Sequence, residues 1–133
     1  EAEKISGVAI HDIHDMEEAA KKIHAMGCKN VLVKGGHAIG DAVDVLYDGK
    51  QFHRFATERI NTKNTHGTGC TYSSAIASNL ALGLAMPEAV KKAKDYVTTA
   101  IRHSLAIGNG CGPTHHFWDL YRNGLAGDVD LLD

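Results

Sequence analysis

The sequence predicts an α/β fold with a mostly parallel sheet and an edge hairpin, and three stretches carry that prediction. Met16-Glu-Glu-Ala-Ala-Lys-Lys-Ile-His-Ala-Met26 repeats apolar residues at helical spacing, and the apolar run Asn30-Val-Leu-Val-Lys34 follows directly. A helix leading into a strand with no polar face is the order of an α/β unit with a buried, mostly parallel sheet. Asp48-Gly49 lies between two apolar-rich runs, which is the signature of a hairpin.

Each element can be justified in turn. Residues 1–14 carry no readable pattern. In the first helix Met16, Ala19, Ala20, Ile23 and Met26 share one face, with Asp15 as the expected N-cap and Gly27 as the stop. The buried strand ends at Gly35-Gly36. Ala42–Tyr47 and Gln51–Thr57 form the hairpin, expected at an edge of the sheet. A polar loop over 58–69 then leads into a helix from about Cys70 to Leu82. Its residues Ala75, Ile76, Ala77, Leu80 and Ala81 are small and apolar nearly all round, which predicts a central, buried helix.

Gly83 breaks that helix, and Pro87 sits at an expected first position of the next one. From Pro87 to about Ile107, Ala89, Val90, Ala93, Tyr96, Val97, Ala100, Ile101 and Leu105 form an apolar stripe. Glu88, Lys91, Lys92, Lys94 and Arg102 fall on other faces. Residues 108–113 read as a loop, and Thr114 as the cap of a short helix through Tyr121. Residues 1–125 are expected to form one domain, with 126–133 a flexible tail. There is no internal repeat or low-complexity segment.

At 133 residues the chain is long enough for one core and no more. A net charge of −2 gives no basic excess, which argues against nucleic acid or an anionic membrane as the main partner. No apolar run approaches the roughly 20 residues that span a bilayer. Glu1-Ala-Glu-Lys does not read as a signal peptide. Three unevenly spaced cysteines, Cys28, Cys70 and Cys111, make no disulfide framework, so a reducing cytoplasm is the expected compartment.

The chemistry concentrates where the polar loop meets the helix. Gly67 and Gly69 let the backbone approach a ligand closely, so several N–H groups can converge on one point. That point is also a helix start, with its orphan donors and the positive end of its dipole, and so suits a phosphate. Cys70 stands in the first turn, where this field favours a thiolate. The plainer alternative is a Gly-rich capping loop with Cys70 as a small core residue. Lys34 follows the buried strand, at the end where such sheets present ligands, or else it snorkels from the sheet edge.

Asn64-Thr-His-Gly-Thr-Gly-Cys-Thr-x-Ser-Ser-Ala-Ile-Ala77 resembles the anion-hole motif of the hydroxymethylpyrimidine/phosphomethylpyrimidine kinases, a ribokinase-like family of thiamin biosynthesis. Val31-Leu-Val-Lys-Gly-Gly-His37, Asp44-Val-Leu-Tyr-Asp48, Ala89-Val-Lys-Lys-Ala-Lys94 and Gly108-x-Gly-x-Gly-Pro-x-His115 extend the resemblance in colinear order from Glu1 to about Trp118. It implies the C-terminal half of a three-layer α/β/α kinase about twice this length, with little activity expected of the chain alone.

The same resemblance implies ATP as co-substrate, Mg²⁺, and phosphorylation of hydroxymethylpyrimidine and then of its monophosphate. Gly67, Thr68, Gly69 and Cys70 would supply the anion-hole donors and Cys70 the catalytic base, with Lys34 against the ATP phosphates. Glu1 resembles the glutamate of an Asn-x-x-Glu motif that acts around the Mg²⁺–phosphate group, its Asn falling before the first residue. Some relatives phosphorylate pyridoxal, so the acceptor is a small pyrimidine or pyridoxal-type molecule. The other expected partners are copies of the same subunit.

His66 either touches the phosphate or supports the loop, and surface or loop roles are expected for His37 and for Cys111, His115 and His116. Two rival classes stand beside the kinase. One is a non-catalytic phosphate or nucleotide binder. The other is a metal site, invited by nine histidines and three cysteines but lacking a paired zinc-ligand spacing.

Overall fold

The computed structural model describes residues 1–35 and 42–124. His37 and the 126–133 tail, both singled out above, lie outside the described residues. The elements in order are α1 (Ala2–Ser6), α2 (Ile13–Ala25), β1 (Val31–Val33), β2 (Ala42–Tyr47), β3 (Phe52–Thr57), α3 (Thr68–Ala81), α4 (Met86–Arg102) and α5 (Trp118–Asn123). The fold is α/β.

The sheet departs from expectation. Its described strands run in the order β1-β2-β3 and both pairings are antiparallel, with Val33 opposite Val45 and Asp44 opposite Phe55. A parallel pair needs a crossover of about a dozen residues or more. The segment from Lys34 to Asp41 is too short for one. The hairpin forms as expected, although of its two strands β2 is the middle strand of the described sheet and β3 alone of the pair lies at an edge. Its turn is built by Asp48, whose Oδ1 accepts the N–H of Lys50 and of Gln51, both at 2.8 Å. Gly49 follows at φ 89°, in the left-handed region that glycine tolerates.

Because side chains alternate along a strand, the sheet carries two separate cores. On one face Val31, Val33 and Val45 pack against Met16 and Ala20 of α2, with Ala2 of α1 beside them. On the other, Leu46 packs with Tyr72 of α3 and with Val90, Ala93 and Val97 of α4. Helix, sheet and helix thus make three layers.

The helices shift from their expected bounds for local reasons. α2 starts earlier because Asp12, not Asp15, is its N-cap, with Oδ1 accepting the Asp15 N–H at 2.9 Å. Met26 is therefore the C-cap and lies exposed, off the apolar face. α4 ends at Arg102 because the chain turns there to meet the loop that follows. Ser104 N–H bonds the Ile101 carbonyl, Leu105 N–H bonds the Pro113 carbonyl, and Ile107 is left exposed. Thr114 caps nothing: it is buried, and α5 begins after Phe117.

Two corrections bear on the site. Within α3 only Tyr72 is buried, while Ala77, Leu80 and Ala81 are exposed, so this helix is not enclosed by the described layers. Lys94, assigned to a polar face of α4, is buried instead, because its ammonium finds a carboxylate on β2.

Candidate functional site

Helix α3 opens with Gly67 as N-cap at φ 83°, a conformation that swings the chain from the loop into the helix axis. The carbonyl of Gly67 already accepts the Thr71 N–H at 2.9 Å, so the first turn is formed. Thr68 does not present its amide outward: that N–H goes to the Thr65 carbonyl at 3.2 Å and its hydroxyl to the same oxygen at 2.7 Å. Among the described residues no acceptor takes the N–H groups of Gly67, Gly69 or Cys70. Cys70 is exposed, and α3 has no acidic residue in its first turn to compete for an anion.

Lys34 leaves β1 and reaches this helix start. A Cβ placed on Gly69 would lie 3.4 Å from the Lys34 Nζ, so the ammonium rests against the bare backbone of Gly69. Free amides, the positive end of a 14-residue helix and a lysine ammonium therefore share one small region, which is the donor set a phosphate recruits.

Behind that region lies a buried polar cluster that sequence reading did not assign. Asp44 of β2 uses both carboxylate oxygens. Its Oδ1 accepts the Gly35 N–H at 2.9 Å, while Oδ2 accepts the Tyr72 hydroxyl at 3.0 Å and the Lys94 ammonium at 2.7 Å. Lys94 also donates to the Ala42 carbonyl at 2.9 Å. Burial, and then the charge of Asp44 beside it, push the Tyr72 phenol well above its ordinary range, so it stays a neutral donor. Gly35 cannot be replaced without movement, since a Cβ there would sit 2.0 Å from the Val43 carbonyl oxygen. The one signal in the sequence was an isolated acid inside the apolar run Ala42–Tyr47.

A second clasp holds the loop in front of α3. Buried Asn64 accepts the Gly112 N–H through Oδ1 at 3.0 Å, and the His66 N–H bonds the Gly112 carbonyl at 3.2 Å. His66 is thereby anchored through its backbone, with its ring exposed. A groove of about 620 Å³ runs from Cys70 along α3 and α4, past Thr71, Ser74, Ser78, Lys92 and Tyr96.

The remaining sequence-predicted residues are not drawn in. Glu1 is the exposed N-cap of α1, and no hydrogen bond or ion pair among the described residues brings its carboxylate to Lys34 or Cys70. His115 packs edge-on against Trp118 and Tyr121, while the Tyr96 hydroxyl donates to the His116 carbonyl. No group of three His, Cys, Asp or Glu residues among the described residues could hold a metal ion. No helix among them is long and apolar enough to cross a membrane.

The family model described as phosphomethylpyrimidine kinase matches residues 1–115. The chain is 50% identical over 123 residues to the hydroxymethylpyrimidine/phosphomethylpyrimidine kinase of Synechococcus elongatus, covering 91% of this chain and 47% of that protein. It is 53% identical over 117 residues to the thiamine biosynthesis bifunctional protein ThiED of Geobacter sulfurreducens, covering 87% of this chain and 24% of that protein. Among solved structures, the ADP complex of Bacillus subtilis pyridoxal kinase superposes with a TM-score of 0.83 at 42% identity, covering 92% of this chain and 46% of that one. The chain thus spans less than half the length of these relatives. On the match over residues 1–115, this chain belongs to the phosphomethylpyrimidine kinase family.

Proposed function

We propose that this chain supplies the phosphate-holding part of a kinase that transfers the γ-phosphoryl of ATP to hydroxymethylpyrimidine, and then to its monophosphate, in thiamin biosynthesis. The observation that carries the reading is the meeting of the Lys34 ammonium with the unpaired amides of Gly69 and Cys70 at the start of α3. Phosphoryl transfer is catalysed by positioning and charge stabilisation rather than by covalent work. Amides fixed by the helix offer that stabilisation with no reorganisation during the reaction.

The residues divide the labour. Lys34 meets the ATP phosphates as a point charge. Gly67, Gly69 and Cys70 hold the migrating phosphoryl group, and Thr68, whose amide is turned back onto Thr65, fixes the curve of the loop. Cys70, exposed beside the groove, takes the proton of the acceptor hydroxyl in the first step. A phosphate acceptor is already ionised at neutral pH, so the second step needs no base. Magnesium is usually held by one or two carboxylates together with substrate phosphates. The first turn of α3 carries no carboxylate, and none among the described residues is bonded to Lys34.

The test is the Cys70→Ala variant of the polypeptide encoded by the complete reading frame, assayed separately with the alcohol and with its monophosphate. Loss of a general base typically costs about 10²- to 10⁴-fold. That loss is expected in the first step, with the second changed far less. Equal losses in both steps would overturn the assignment of Cys70. A second acceptor is favoured by one observation, the close superposition on a pyridoxal kinase. Comparing kcat/KM for hydroxymethylpyrimidine and pyridoxal decides between them. ADP binding without turnover on either would leave a nucleotide-binding protein.

A further inference from the structure

We propose that Asp44 is a positioning residue for phosphoryl transfer, one carboxylate that fixes the backbone carrying Lys34 relative to the Gly69 and Cys70 amides. The inference rests on the kinase reading above and adds to it a residue that touches neither nucleotide nor acceptor.

The bonding pattern is what separates positioning from simple charge pairing. To neutralise the buried Lys94, Asp44 needs only its 2.7 Å contact to that ammonium. It makes two more, and these go to the two chain segments that build the site. Oδ1 holds the amide of Gly35, the residue next to Lys34. Oδ2 holds the hydroxyl of Tyr72, two residues past Cys70 in the first turns of α3. The carboxylate is nearly sealed, its side chain 6% exposed, so water does not compete for these bonds.

The geometry leaves little slack on either side. Gly35 lies so close to β2 that a single added carbon would meet the Val43 oxygen at 2.0 Å, which pins the backbone just after Lys34. Tyr72 is 5% exposed and packed among Leu46, Val90 and Val97, so its hydroxyl transmits the position of β2 to the helix start. A misplacement of about 1 Å in such a site costs on the order of 10²-fold in rate.

The experiment uses Tyr72→Phe, which keeps the packed ring and removes one of the three contacts. It is read alone and combined with Lys34→Ala, in the polypeptide of the complete reading frame. ADP affinity is measured by calorimetry, kcat/KM for ATP with hydroxymethylpyrimidine as acceptor, and Tm for the fold. Tyr72→Phe is expected to lower kcat/KM for ATP and to weaken ADP binding by about 10-fold, with Tm moved by only a few degrees. On the Lys34→Ala background the same change is expected to cost less than about 2-fold, because the group being positioned is gone. Asp44→Asn, if it folds, should follow the same pattern with a larger loss.

A lowered Tm with unchanged ADP affinity and kcat/KM would make the cluster merely structural and overturn the proposal. So would an undiminished effect on the Lys34→Ala background. A protein that binds ADP but phosphorylates neither hydroxymethylpyrimidine nor pyridoxal removes the kinase reading alone. The ADP affinities of the four proteins then decide this one. Failure to bind ADP at all overturns both.

Discussion

The two faces of the sheet are built from the same strands and differ in kind. Against α2 the buried side chains are Met16, Ala20, Val31, Val33 and Val45, with no buried polar group among them. Its polar contact lies at the margin, where Arg54 of β3 bonds Glu17 at 2.6 and 2.9 Å. Against α3 and α4 an equally apolar set, including Leu46, Val90 and Val97, surrounds Asp44, Tyr72 and Lys94. Apolar packing is non-directional, so the α2 face secures the fold without dictating where any one atom lies. Hydrogen bonds to a sealed carboxylate are directional, and they appear on the face that carries the site.

The sharpest way to break this comparison is to damage each face once. Asp44→Ala leaves the Lys94 ammonium buried without its carboxylate, which is expected to cost about 3–5 kcal/mol of stability together with ADP affinity. Met16→Ala opens a cavity on the other face and is expected to cost roughly 2–5 kcal/mol, with the folded fraction binding ADP as before. Urea unfolding followed by ADP titration below the transition measures both. If Met16→Ala weakens ADP binding as much as Asp44→Ala does, the two faces are not functionally distinct.

A smaller effect appears at alkaline pH. The folded state holds the Tyr72 phenol protonated well above the value of about 10 that applies to the unfolded chain. Its contribution is therefore complete below about pH 10 and is lost as pH rises beyond it, since only the unfolded chain readily ionises there. Comparing wild type with Tyr72→Phe by thermal melts between pH 8 and 11 should show the steeper decline in wild type. Parallel curves would mean that the phenol is not held neutral.

The smallest effect belongs to the hairpin turn. The Gln51 N–H above all, then the His53 side chain and the Lys50 N–H, hold Asp48 well below the usual carboxylate range. Its stabilisation is present above about pH 3.9, the unfolded value, and is lost as pH falls below it. Asp48→Asn should therefore lie below wild type in stability at pH 7, and the gap should narrow in acid. A gap that persists at pH 2 would assign the effect to the shape of the turn rather than to the charge.

Much of this was legible in the residues, and what was not has a common cause. The Asp48-Gly49 hairpin and the α4 stripe through Ala89, Val90, Ala93, Val97 and Ala100 are local signals, and both appear in the structure. The glycines at 67 and 69 marked the helix start, against which the Lys34 ammonium lies. The antiparallel pairing of β2 with β3 was readable from the turn, but the direction of β1 against β2 was not, because alternation of side chains is the same in either sense. Lys94 was misplaced because its partner lies 50 residues away in the chain. Composition suggested that α3 is enclosed, yet small apolar residues describe what a surface can pack against and not whether it does. Thr68 shows the same limit at short range: nothing in Gly-Thr-Gly tells which of the successive amides turns inward.

The joining of Asp44 to Lys94 has a consequence for anyone seeking a sturdier version of this protein. Exchanging an interior ion pair for well-fitted hydrocarbon of similar volume often raises thermal resistance. Here that exchange would also release Gly35 and Tyr72 from their common anchor. A redesign guided by melting temperature alone would select a tougher protein whose β1 end and α3 start are no longer tied to one another.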